Sequence, residues 1–177
     1  MVILNTSTSI ANAISNPFTY FFIYNDNWCS YAYSELWNKN ASISVNNNAQ
    51  KTIYSPSPTG FIEPYGNAFT GFTKDGNVQS NSNNWNYSSI EGYDFIFFCN
   101  QDKTGGTIKF WALGFRDAFS GRPGNGGKLT ELNSGNYWTL QARNNAHAYN
   151  LNFYNYSVQP MTAYQKSEAL LIRAVKL

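Results

Sequence analysis

Between residues 105 and 176 the apolar side chains come in short bursts divided by polar stretches. The bursts are Ile108-Lys109-Phe110-Trp111-Ala112-Leu113, Tyr137-Trp138, Tyr149-Asn150-Leu151-Asn152-Phe153-Tyr154 and Leu170-Leu171-Ile172-Arg173-Ala174-Val175. A period near two over so few residues is that of β-strands, so this half of the chain predicts short strands joined by loops, the last strand closing the sequence. The scaffold is then expected in the strands and the function in loops within 139–169.

Upstream the punctuation changes. Thr and Ser can cap a helix over 6–14 that sets Ile10, Ala13 and Ile14 on one face, and Asn16-Pro17 stops it. Residues 18–24 are almost wholly apolar and predict a buried strand. Residues 31–37 read as a short helix or loop. Lys51-Thr52-Ile53-Tyr54 reads as a strand entering Ser55-Pro56-Ser57-Pro58-Thr59-Gly60, a loop fixed by its prolines. Residues 65–86 form a Gly-, Asn- and Ser-rich excursion, and 91–99 predict the next strand.

Composition narrows the function. The 177 residues suit one domain with its own core, given 42% hydrophobic content. Aromatics reach 18% but charged residues only 12%, about half the usual share, so Asn, Ser, Thr, Gly and Tyr must make the surface. Such a surface either resembles that of a paratope or extracellular adhesin, where Tyr gives contact area at low entropic cost, or reflects an ordinary compositional bias. A net charge of +2 without a basic run argues against a nucleic-acid partner. No stretch approaches a membrane span, and the start at Met1 lacks a basic and apolar leader. Cys29 and Cys99 form one bridge or stay as thiols, and neither sits at zinc-ligand spacing.

Catalytic chemistry is thinly represented. His147, the one histidine, lies in an Asn-Ala stretch with no nucleophile elbow or triad spacing, so it reads as a surface residue. The glycines of 121–127 lack the Gly-Lys-Ser/Thr ending of a phosphate loop and read as a turn. No metal or organic cofactor is expected.

Ordered motifs carry a resemblance along nearly the whole chain. Ile14-Ser15-Asn16-Pro17-Phe18, Asp26-x-Trp28, Leu36-Trp37 and Lys51-Thr52-Ile53-Tyr54-x-Pro56-x-Pro58-x-Gly60-Phe61-x-x-Pro64 come first. Gly114-Phe115-Arg116-Asp117, Gly135-Asn136-Tyr137-Trp138-Thr139, Tyr149-x-Leu151-x-Phe153, Val158-x-Pro160 and Ile172-Arg173-Ala174-Val175-Lys176 follow. The series resembles the Fibrobacter-succinogenes-type paralogous domain of Bacteroidetes surface proteins. The resemblance implies an α+β domain over 1–177 with a C-type-lectin-like, or formylglycine-generating-enzyme-like, fold. That fold has a twisted, mainly antiparallel sheet, one or two helices, long loops and neighbouring terminal segments. Two departures stand out: Ser57 occupies a position often Cys, and Ala169-Leu170-Leu171 replace a Gly, aromatic and Ser pattern.

The variable proteins of diversity-generating retroelements share this fold, and the C-terminal segment is similar to their variable region. Trp138, Leu151, Phe153, Val158, Ile172 and Val175 alternate as framework with Leu140, Arg143, Asn144, Asn145, His147, Tyr154, Tyr156, Tyr164, Lys166 and Glu168. The resemblance makes the second set the ligand-binding residues, diversified or fixed. Tyr154, Tyr156, Tyr164, Arg143 and Lys166 are expected exposed over a core holding Trp111, Tyr137 and Trp138, with Tyr149 and Phe153 packed inward. Glu63-Pro64-Tyr65 and the lack of Trp-Asn-Asp give no calcium-dependent sugar site of the C-type-lectin kind. The function implied is non-enzymatic recognition of a host-cell or surface receptor, protein or glycan, by a phage tail-fibre component, a retroelement-diversified protein or a cell-surface or pilus-tip adhesin. Its setting would be the virion tail or the bacterial surface, as a monomer or homo-oligomer. An enzyme of the formylglycine-generating type is the alternative of another class, though Cys29 and Cys99 do not match its motifs.

Overall fold

The computed structural model describes residues 2–22, 28–29, 35–40, 50–73, 87–91, 94–100, 102–116, 134–154 and 157–177. These build ten strands and one short helix, with mostly antiparallel pairing. β1 (Val2–Asn5) pairs in parallel with β2 (Thr19–Phe22). Between them α1 (Ile10–Ser15) starts at Ser9, whose hydroxyl accepts from Asn12 N at 3.2 Å. The capping residue is of the expected kind, but the helix begins later than the sequence suggests and buries none of its residues.

Two three-stranded antiparallel sheets enclose the core. One contains β4 (Tyr87–Glu91), β5 (Asp94–Phe98) and β6 (Thr107–Trp111); the other contains β7 (Ser134–Ala142), β8 (His147–Tyr154) and β9 (Ser157–Gln165). Strand alternation sends Phe95, Phe97, Phe110, Tyr137, Leu151, Phe153 and Val158 into the space between them, where Phe69 and Phe72 join from a 3-10 turn at Thr70–Phe72. The rings meet both edge-on and face to face: Phe110 is edge-on to Tyr137 at 5.0 Å, and Phe72 stacks on Phe97 at 4.2 Å.

β7 is buried along nearly its whole length because both of its edges are occupied. β8 pairs along one side. On the other, Gly114 N donates to Ser134 O at 2.8 Å, Trp138 N to Leu171 O at 2.9 Å and Leu140 N to Pro64 O at 2.8 Å. Gly135 lies where the Phe153 ring crosses the strand, and a Cβ there would stand 2.0 Å from Phe153 Cζ. Gly135→Ala is therefore expected to cost about 1–3 kcal/mol through overpacking, read as a lower urea midpoint at unchanged slope.

Several expectations need correction. Residues 139–169 are not mainly loops, since β7, β8 and β9 cover most of them. β9 escapes a reading by period because it contains Pro160, which lacks an N–H; β9 is an edge strand, and its register shifts between the pairs Asn150–Thr162 and Asn152–Gln159. Lys51 makes one antiparallel bridge with Asn38, and the chain then turns at Ile53 and Tyr54 rather than continuing as a strand. The cause is the Lys51 ammonium, which donates to the carbonyls of Ser57, Pro58 and Phe61 and folds the chain back on itself. That loop is fixed, as its prolines imply. Buried Glu63 accepts from Ser55 Oγ, Ser57 N and Ser57 Oγ at 2.8–3.0 Å, so the serine at the position often Cys has a bonding role.

Trp111 is 54% exposed rather than in the core, because Phe110 already points inward and the next residue must point out. The closing residues do not form a core strand either. Leu171 packs on the core, but Ile172 and Val175 are exposed, and only β10 (Val175–Lys176) is a strand, paired with β3 (Phe61–Ile62). The terminal strand pairs with residues 61–62, and the N- and C-terminal segments meet elsewhere, where the Tyr20 hydroxyl donates to Ser167 O and residues 13–21 and 166–172 line one pocket. Cys29 is buried, Cys99 is exposed, and both are free thiols.

Candidate functional site

The register of the second sheet sorts the candidate residues. Ala142 lies opposite Ala148, Ala148 opposite Tyr164, and His147 opposite Gln165, so the β7–β8 turn and the end of β9 share one edge of the sheet. Lys166 N donates to Ala146 O at 2.9 Å and ties the following segment to that turn. Leu140, Arg143, Asn144, Asn145, His147, Tyr164, Lys166 and Glu168 therefore belong to one end of the molecule. Tyr154 does not. It faces Ser157 at the other end of β8, roughly 23 Å from His147 at the rise of a strand, and Tyr156 lies outside the described residues. The expected group of three tyrosines is thus not one surface.

Within the cluster the side chains divide by what holds them. Arg143, Asn144 and Asn145 are exposed. Asn144 Oδ1 accepts from Ala146 N at 2.9 Å and His147 N at 2.7 Å, and lies 3.2 Å from His147 Nδ1, so this amide shapes the turn. Arg143 N and Asn144 N both donate to His147 O, at 2.9 and 3.2 Å. The turn is thus a braced platform that presents Arg143 and Asn145. Tyr164 is half-buried, its ring 5.5 Å from that of Phe115.

Leu140 is buried and, with Lys166 and Glu168, faces a pocket of about 360 Å³. One wall is Trp138, Ala142 and Ala148 of the sheet; the opposite wall is Ala13, Tyr20 and Phe21 with Trp28, Leu36 and Trp37. The segment Lys166-Ser167-Glu168-Ala169-Leu170 closes it, and the Tyr20 hydroxyl donates to Ser167 O to hold that segment. The tryptophans and Ser167 lie outside the sequence-derived site. The only local signal was large aromatics amid polar residues, which does not distinguish a pocket from a core.

Burial pushes the Lys166 ammonium down to about 8, and the negative charge of Glu35 opposes the shift. The folded value lies below the unfolded one near 10.5, so between those values the unfolded chain holds more protons. Stability is therefore expected to rise with pH from about 8 towards 10.5, and the gain is lost as pH falls through 8. Urea titrations at the two ends of the window should show this rise in the parent and not in Lys166→Met.

Among the described residues, no group of three His, Cys, Asp or Glu could hold a metal ion, and no helix is long and apolar enough to cross a membrane. The site combines an exposed polar turn with an aromatic pocket whose lining includes Lys166 and Glu168. Compared with protein-family models, curated proteins and solved structures, the chain finds no match.

Proposed function

We propose that the chain is a non-enzymatic recognition domain of C-type-lectin-like fold that binds a protein or glycan receptor through the β7–β8 turn end of its second sheet. One observation carries this reading: Arg143 and Asn145 stand exposed on a turn whose backbone is already bonded through Asn144 and His147. Such a turn can change its outward residues without disturbing the strands, because loops on a rigid scaffold tolerate substitution. An arginine with a free rotamer range beside amides suits hydrogen bonding to sugar hydroxyls or to a protein surface. The settings we favour are a phage tail-fibre or receptor-binding component and a retroelement-diversified variable protein.

The reading is tested by a library with positions 143 and 145 randomised. Nearly all members are expected to melt within a few degrees of the parent, since exposed substitutions shift stability by a few tenths of a kcal/mol. Asn144→Ala, by contrast, should cost about 1 kcal/mol, because it leaves the turn's N–H groups without their acceptor. Widespread unfolding in the library would count against a recognition surface at this turn.

A further inference from the structure

The pocket under the turn is too large to be a packing defect. Interiors leave few voids bigger than a water molecule, whereas about 360 Å³ falls in the range of small-molecule sites. Three of the five tryptophans, Trp28, Trp37 and Trp138, line it, and aliphatic side chains such as Leu36, Leu140 and Ile172 supply much of the remaining wall. Ser167 breaks this apolar lining. It is 1% exposed, its carbonyl accepts from the Tyr20 hydroxyl, and its Oγ has no hydrogen-bond partner among the described residues. A buried hydroxyl left in that state costs free energy that a ligand's polar group would recover.

The charged neighbours of Ser167 ask nothing of a ligand. The Glu35 carboxylate already acts on Lys166, and Glu168 is engaged within the protein. Burial works against a charge here, since it is the larger cause of the lowered Lys166 pKa. A charged ligand would lose its water against indole and alkyl carbon while both neighbouring charges are already occupied. A sugar would carry several hydroxyls into the same apolar walls, which cannot bond them all. We propose that this pocket binds a small uncharged aromatic molecule of the indole or phenol class, its ring against the tryptophan walls and its N–H or O–H donating to Ser167 Oγ. One flat apolar surface and one hydrogen bond match what the lining offers, through stacking and apolar burial. The site stands apart from the receptor surface: Arg143 and Asn145 do not line it, so either proposal can fail alone.

Calorimetric titration of the full chain with indole, 1-methylindole, tryptamine and indole-3-acetate tests the proposal. The second keeps the ring but lacks the donor, and the last two add a positive or a negative charge. Saturable one-to-one binding of indole is expected, with 1-methylindole about three- to tenfold weaker, the net worth of one hydrogen bond. Both charged analogues should bind at least about tenfold more weakly than indole, because their charge must be desolvated. Ser167→Ala should weaken indole to the level of 1-methylindole and leave 1-methylindole unchanged. Thermal melts identify a variant that fails to fold, and the ligand series on the parent then decides alone. Absence of saturable binding by indole and by 4-methylphenol would overturn the proposal. So would a charged analogue or 1-methylindole that binds the parent as tightly as indole, or a folded Ser167→Ala chain that still prefers indole to 1-methylindole.

Discussion

Ending the chain at Glu168 is expected to abolish cooperative unfolding. The lost residues are held by their backbone more than by their side chains. Arg116 and Ala169 exchange two bonds at 3.0 and 3.1 Å, and Leu171 accepts from Trp138 N and donates to Asn136 O, both at 2.9 Å. Removing them leaves backbone groups of the buried strand β7 without partners, at about 1–3 kcal/mol each. Leu171 also leaves the core, and Arg173, whose guanidinium sits 4.4 Å above the Phe110 ring and donates to Lys109 O, uncovers that ring. Together these losses match the whole stability of a small domain, about 5–15 kcal/mol. Calorimetry of the truncated chain should show no sharp transition. A cooperative melt close to that of the parent would mean that the segment only decorates the fold.

Phe153→Ala is expected to destabilise by about 3–5 kcal/mol, the range for truncating a buried phenylalanine. The ring is wholly buried where the two sheets meet, 4.7 Å from Phe95 and 5.5 Å from Phe97, and it is the ring that Gly135 makes room for. Its neighbours come from both sheets, so no single one can move to fill the hole. Urea unfolding with an unchanged slope would measure the loss. A loss below about 1 kcal/mol would show that the core collapses around the gap, contrary to the packing described here.

How far the sequence foretold this arrangement depended on the kind of signal. Alternation located β8, because a strand with one face in a core must place an apolar residue at every second position, while β6 and β7 were marked by short apolar or aromatic runs. The same rule misjudged Trp111, since adjacent Phe110 and Trp111 cannot both face inward and hydrophobicity alone does not choose between them. The choice is made by Tyr137, whose hydroxyl donates to Trp111 O at 2.8 Å and accepts from Trp111 N at 2.9 Å, clasping that backbone to the core edge. Burial also keeps the Tyr137 phenol above its usual pKa. Capping chemistry located α1, but the register shifts that shape β7, β8 and β9 leave no mark in composition.

The candidate site was legible as a region and not as a surface. Eight of its positions converge because β7, β8 and β9 are consecutive antiparallel strands whose alternate ends must coincide. Tyr154 separates from them for the same reason, one strand length away. The pocket was legible only through Leu140, Lys166 and Glu168, because the rest of its walls come from residues 13–21, 28–29, 36–37, 138–148 and 166–172, which only the tertiary pairing brings together.

The receptor surface we propose is the turn end of the second sheet. Its most direct test is the binding of the labelled parent and of the Arg143→Ser, Asn145→Ser double variant to a glycan array and to intact bacterial cells, with thermal melts of both. The claim predicts matched melting temperatures and a loss of at least about 2 kcal/mol in binding, roughly thirtyfold, if Arg143 is an anchor. A double variant that melts like the parent and binds the same glycans or cells equally well would contradict it.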